Sequence, residues 1–320
     1  MKISLITPAG KQLKNGNRTT AMRWARLLRR VGHQVHVTND YDGRAVDLLI
    51  ALHAWHSAKA VQRYRCQAPK GPLVVGLGGT DVNTFLKSDR QITLNAMKAA
   101  DALICLHDLV GEALPPALWG RLNVVRQSAT PLSATRVPSK RHFDICVIGH
   151  LRDEKDPFRA ALAARQMPNN SSLRVIHLGK ATTAKFANRA AKEMARNLRY
   201  YWRGEVPGWR VRREFAKTHA MVISSVQEGG ANVVSEALVA GVPIIASDIA
   251  GNIGLLGRDY PGYYAVGDTG ALAKLLHQAE AEPAFLNTLA RQGQRLATLY
   301  SPVREQAALE CIVNSVTQPR

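Results

Sequence analysis

Residues 1–38 read MKISLITPAG KQLKNGNRTT AMRWARLLRR VGHQVHVT, and this stretch decides the fold class. Ile3–Thr7 has the short apolar alternation of a first strand. After a loop, Ala21, Trp24, Ala25, Leu28 and Val31 recur on one face at helical spacing. Thr19 or Thr20 is placed to cap that helix and Gly32 to end it. Gln34–Thr38 alternates again. Strand, helix and strand in this order imply a parallel sheet covered by helices on both faces, an α/β fold.

The alternation continues outward. Asp47–Leu52, Leu73–Leu77, Ala102–Leu106 and Asn123–Val125 read as further strands. Ala129–Arg141 carries Pro131 and Pro138 without apolar periodicity, and reads as a linker. Alternation then restarts, with strands at Phe143–Ile148, Leu173–Leu178, Ala220–Ser224 and Val242–Ala246. Helices are expected at Pro157–Arg165, Lys185–Asn197, Arg210–Lys217, Asn232–Ala240 and Ala271–Ala279, and helical periodicity returns from Pro302. The expectation is two doubly wound, Rossmann-like domains in series, residues 1–135 and 141–301, with the terminal helix 302–320 packing back on the first.

A chain of 320 residues suits two such domains. No apolar run is long enough to cross a bilayer, and Met1–Pro8 reads as a strand rather than a signal peptide. Cys66, Cys105, Cys146 and Cys311 form no Cys-x-x-Cys pair, which argues against a zinc knuckle or a disulfide framework and fits a reducing cytoplasm. The net charge of +19 is spread over both halves and comes with no nucleic-acid motif. Anionic substrates are therefore the preferred explanation, with a basic nucleic-acid-binding protein as the alternative from another class.

In open parallel sheets, ligands sit beyond the carboxyl ends of the strands. Two domains of this kind are expected to hold their site between them. After the first strand, Lys11, Gly16, Asn17, Arg18 and Thr19 bring positive charge and a helix start together, a candidate anion cradle. An ordinary solvated loop is the alternative. Gly76–Asp81 follows the fourth strand and reads as a tight turn, while His53 and His56 follow the third. In the second half, Gly149 is followed by Arg152 and Lys155, a planar fork and a point charge suited to clamping a diphosphate. The strongest signal is Glu228–Pro243, where Glu228 and Glu236 bracket seven residues. Gly229, Gly230, Ala231 and Asn232 can offer backbone N–H groups to phosphate. Glu236, expected about two turns down the helix, can accept ribose hydroxyls, and Glu228 can reach a sugar.

Ser224–Asp248 resembles the Glu-x7-Glu signature of the large retaining GT-B family that includes glycogen and sucrose synthases. Gly149–Lys155 resembles that family's Gly-Arg-Leu-x-x-x-Lys diphosphate motif, and Gly16–Val37 its first helix and second strand. The resemblance implies two domains facing each other across a cleft, a UDP-sugar donor and glycosyl transfer. The family's arginine after the glycine is His150 here, with Arg152 two residues on, which leaves open which one meets the diphosphate. Met1–Asp42, Val147–Pro157 and Glu228–Gly262 further resemble the selenosugar synthases of selenoneine biosynthesis. That resemblance implies selenophosphate as acceptor, UDP-N-acetylglucosamine or UDP-glucose as donor, and UDP and phosphate as by-products. The alternative within the family is a carbohydrate or lipid-linked acceptor. Asp40-Tyr41-Asp42 matches a manganese signature of a different glycosyltransferase fold, but reads here as a turn. No cofactor and no catalytic metal are expected.

Overall fold

The computed structural model describes residues 1–8 and 16–318, and its two sheets are built from parallel strands only. The first joins β1 (Lys2–Ile6), β2 (Gln34–Thr38), β3 (Leu48–Leu52), β4 (Leu73–Gly76), β5 (Ala102–Cys105) and β6 (Leu122–Val124) in the order β2-β1-β3-β4-β5-β6. The second joins β7 (Phe143–Ile148), β8 (Leu173–Leu178), β9 (Tyr200–Trp202), β10 (Ala220–Ile223), β11 (Ile244–Ser247) and β12 (Tyr263–Tyr264) in the order β12-β11-β10-β7-β8-β9. Central strands such as β3 and β10 are apolar and buried at every position, as strands covered on both faces must be.

The helices between the strands of the first sheet are α1 (Gly16–Arg30), α2 (Ala58–Gln67), the short α3 (Leu86–Ser88) and α4 (Arg90–Ala99). Those that follow are α5 (Arg159–Ala164), α6 (Ala184–Arg196), α7 (Gly208–Lys217), α8 (Asn232–Val239), α9 (Ala250–Leu256), α10 (Thr269–Ala281), α11 (Pro283–Ala297) and α12 (Pro302–Thr317). Ala21, Trp24, Ala25 and Leu28 of α1 are buried as their spacing predicts, but the capping expectation fails. The helix starts at Gly16, so Thr19 and Thr20 lie inside it, and buried Thr20 is hydrogen-bonded to Gln127 (2.6 Å). β11 begins later than expected because Pro243 has no N–H to give the ladder.

The chain divides into two compact units. The first comprises residues 1–128, 229–232 and 301–320, and the second residues 129–228 and 233–300. The proline-bearing segment 129–141 is part of the second unit. Val137 N–H donates to Ala216 O (2.8 Å), and the Arg136 guanidinium donates to the carbonyls of Phe215 and Thr218. All four cysteines are free, with Cys105 and Cys146 buried.

In the first unit, α12 completes the core on one face of the sheet. Leu309, Ile312 and Val313 join Ile3, Leu5, Trp24 and Leu28 there. One carboxylate ties this helix down. Glu305, 1% exposed, accepts from Trp24 Nε1 (2.9 Å), Arg23 Nε (3.0 Å) and the Ser128 N–H (2.8 Å) and hydroxyl (2.5 Å). Removing it strands an arginine and three buried donors. Glu305→Ala is expected to cost about 3 kcal/mol in urea unfolding, and Glu305→Gln distinctly less because an acceptor oxygen remains. Equal stability of Glu305→Ala and wild type would show that the four contacts contribute little.

Candidate active site

The strand order of the second sheet reverses between β7 and β10. β8 lies on one side of this adjacent pair and β11 on the other, so the connections leaving β7 and β10 diverge and open a crevice. The residues that carry the sequence signals follow these two strands. Val226 N–H donates to Glu154 O (2.9 Å), and the Ser224 hydroxyl donates to Lys155 O (3.0 Å) and Asp156 O (2.9 Å). These bonds hold the two loops together. Across them the Lys155 ammonium pairs with the Glu228 carboxylate, which also accepts from the Ser225 hydroxyl (2.6 Å). The two paired side chains are 19% and 10% exposed, so the pair is largely removed from water. A lysine held this way keeps further N–H donors for an anion, and the carboxylate has a set direction.

A small pocket at this edge is lined by Gly149, His150, Lys155, His177, Ser224 and Ser225, among others. His177 belongs to β8. Its Nε2 donates to Gly149 O (3.1 Å) and its Nδ1 accepts from the Tyr200 hydroxyl (3.0 Å), which fixes the tautomer. Burial pushes this imidazole down to about 4, against a weaker opposing effect of the Gly149 hydrogen bond, so it is neutral near pH 7. The Gly149 turn is also held by Gly179, where a Cβ would fall 1.8 Å from Gly149 O. His177 was not legible as a site residue, because its one signal is a histidine inside the apolar run Leu173–Leu178.

The other expected residues are distributed as follows. His150 Nδ1 accepts from Lys180 N–H (3.1 Å). Arg152 lies half-exposed just before a single 3-10 turn, Asp153–Lys155, with its Nε 3.8 Å from Glu154, and is not among the pocket-lining residues. Glu236 is exposed and lies one turn into α8, not two, since the helix begins at Asn232. Gly229, Gly230, Ala231 and Asn232 group with the first unit, where Asn232 Oδ1 accepts from Arg23 Nη1 (2.9 Å). Gly16, Asn17, Arg18 and Thr19 form the first turn of α1, and Lys11 lies outside the described residues. Asp40 is paired with Arg63, whose hydrogen bond holds its carboxyl below the usual carboxylate range, and Asp42 is 3.1 Å from Arg44. Among the described residues no cluster of three or more His, Cys, Asp or Glu side chains is placed to hold a metal ion. No helix there is long and apolar enough to cross a membrane.

The profile of the family described as "Glycosyl transferases group 1" matches residues 133–296. No curated protein sequence matches the chain. Among solved structures the chain is similar to HepE from Anabaena in complex with UDP, at 16% identity over 98% of this chain and 100% of that one, with a TM-score of 0.79. It is similar to sucrose-phosphate synthase from Thermosynechococcus elongatus, at 15% identity over 98% of each chain and a TM-score of 0.78. A glycosyltransferase from Rickettsia africae gives 12% identity over 100% of this chain and 99% of that one, with a TM-score of 0.77. At these identities the likeness is one of fold, the two-domain α/β GT-B type.

The buried imidazole of His177 makes stability depend on pH. Its folded value lies below the ordinary 6.5, so the unfolded chain binds the proton first as pH falls. Stability is full above about pH 6.5 and declines toward pH 4, by about 3 kcal/mol from this group. Urea unfolding of wild type and His177→Gln at pH 7.5 and 4.5 checks this. The difference between the two conditions should shrink in the variant, and an unchanged difference would refute the assignment.

Proposed function

The chain belongs to the group 1 glycosyl transferases, and from that premise we propose that it is a selenosugar synthase, transferring a sugar from UDP-N-acetylglucosamine or UDP-glucose to selenophosphate. The selenium displaces UDP at the anomeric carbon, and water then cleaves the P–Se bond. A 1-selenosugar, UDP and phosphate result. The observation that carries the donor half is the Lys155–Glu228 pair at the point where the second sheet reverses its order. In this reading Lys155 and Arg152 neutralise the diphosphate as it departs, without a bound metal. Glu228 meets the donor sugar and Glu236 the ribose. Gly229, Gly230, Ala231 and Asn232 add backbone donors, since the start of α8 favours anions.

The acceptor half is supported by the character of the α1 start. Gly16, Asn17, Arg18 and Thr19 bring the first-turn N–H groups of a helix and a guanidinium together, and Lys11 lies close by in sequence. A selenium anion is a soft nucleophile that needs little proton removal, so an anion cradle serves it better than a strong base. The HepE structures in complex with UDP and with UDP-glucose share the fold and support the choice of donor class.

The deciding assay is turnover by mass spectrometry, with either UDP-sugar and with or without enzymatically generated selenophosphate. A selenium-bearing sugar and UDP, formed only when selenophosphate is present, is the expected result. Transfer to a carbohydrate or lipid-linked acceptor instead would replace the acceptor assignment and leave the donor assignment standing. Lys155→Ala and Glu236→Ala are expected to lose UDP affinity or turnover by about tenfold or more. Arg18→Ala should weaken the selenophosphate dependence while UDP binding survives, and equal loss of both would argue against a separate cradle.

A further inference from the structure

The residue that follows Lys155 has an uncommon backbone. Asp156 has φ +40° and ψ 59°, in the left-handed region. With His53 it is one of two non-glycine residues at positive φ among the described residues. Its N–H donates to Asp153 O (3.1 Å) and closes the 3-10 turn Asp153–Lys155, a place where glycine would meet no steric cost. Pro157 comes next and disfavours right-handed helical backbone at residue 156. Two conformations are then left to Asp156, an extended one and the left-handed one it adopts.

Hydrogen bonds select the second. Asp156 O accepts from the Ser224 hydroxyl (2.9 Å) and the Arg159 N–H (3.1 Å). The Asp156 carboxylate accepts from Arg159 Nε (2.7 Å), and another arm of that guanidinium donates to the Thr269 hydroxyl (2.6 Å) at the start of α10. The single Ser224 hydroxyl hydrogen is shared between Asp156 O and Lys155 O. With Val226 N–H on Glu154 O, three consecutive carbonyls are turned toward the one segment 224–226. Successive carbonyls of an extended chain point to opposite sides, so an extended Asp156 would turn one of them away.

The consequence falls on Lys155. The carbonyls on both sides of it, and its own, are gripped by the segment that leads into Glu228. Its Cα therefore has a fixed place and its side chain a fixed point of departure toward the Glu228 carboxylate. A lysine stem has four rotatable bonds, and anchoring its root lowers the entropy lost when the ammonium is held in one place. All of these residues belong to the second unit.

We propose that Asp156 is a positioning residue for Lys155, acting through its left-handed backbone, with the Ser224 hydroxyl and the Arg159 guanidinium holding that backbone in place. The inference rests on the reading of Lys155 as a ligand of the donor diphosphate. Asp156 needs no contact with substrate. Its requirement is conformational, so glycine and asparagine, which also visit the left-handed region at low cost, can replace it. A carboxylate acting on the substrate would have the opposite requirement, because both replacements remove its charge.

Calorimetric titration of the full chain with UDP and with UMP tests this. UMP lacks the second phosphate, so the ratio of the two affinities reports the diphosphate contact and cancels a general loosening of the nucleotide site. Lys155→Ala sets the fall in the ratio that follows from losing the ammonium. Asp156→Val places a β-branched residue at positive φ and should lower the ratio about tenfold, while Asp156→Gly and Asp156→Asn stay within about twofold of wild type. Should Asp156→Val fail to fold, Asp156→Ala takes its place, with an expected fall of about threefold. A ratio that neither Asp156→Val nor Asp156→Ala lowers overturns the positioning role. So does a fall in Asp156→Gly as large as in Asp156→Ala, because the carboxylate and not the backbone would then matter. In both cases a lowered ratio in Lys155→Ala leaves the diphosphate reading standing. A ratio that Lys155→Ala leaves unchanged, or a wild type that binds neither nucleotide, overturns that reading and the inference together.

Discussion

Every strand pair in both sheets is parallel, and that constraint organises the rest of the molecule. A parallel strand can be reached only by crossing back over the sheet, so all the carboxyl ends of one sheet emerge along the same edge. Residues far apart in the chain therefore converge there. Lys155 and Glu228 are 73 positions apart, yet they touch because β7 and β10 are hydrogen-bonded neighbours. In the first unit the same rule brings His53, after β3, to Thr80 and Asp81, after β4.

The charge balance follows a related logic. The chain has 43 Lys and Arg against 24 Asp and Glu, and the buried carboxylates of Asp81, Asp144, Glu193 and Glu305 are each engaged by several donors. Glu193 is an example. Burial pushes its carboxyl up, but hydrogen bonds from Asn197, Arg196 and Arg165 prevail and hold it below the usual range. Asp144 is gripped by both arms of the Arg174 guanidinium (2.7 and 2.8 Å). Buried single charges are costly and shared ones are not, so the acidic residues act as anchors and the surplus of positive charge is left toward solvent and toward anions.

Much of this was legible in the sequence. Runs that are apolar at all but one or two positions, such as Phe143–Ile148 and Leu173–Leu178, mark strands buried on both faces, and their observed limits agree with the reading. Two short edge strands of the second sheet escaped. β9 and β12 are three and two residues long and too brief for any period to show. α2 was also missed, because only Ala60, Val61 and Tyr64 of its ten residues are buried and arginines interrupt the pattern. In the site, the residue types and their loops could be read, whereas pairings could not. Nothing in the spacing of Lys155 and Glu228 announces an ion pair, and the contact of His53 with Thr80 goes with a left-handed backbone that only the folded chain displays.

The seating of α12 has a consequence for biosynthesis. The first unit takes Leu309, Ile312 and Val313 into its core and uses Glu305 to satisfy Trp24. A ribosome makes residues 1–128 first, but Glu305, the partner for Trp24, follows it only 281 positions later. Domains ordinarily fold in the order in which they are made. Here the unit begun first is the last to be completed, and until its final helix arrives it presents an open apolar face of the kind that chaperones hold.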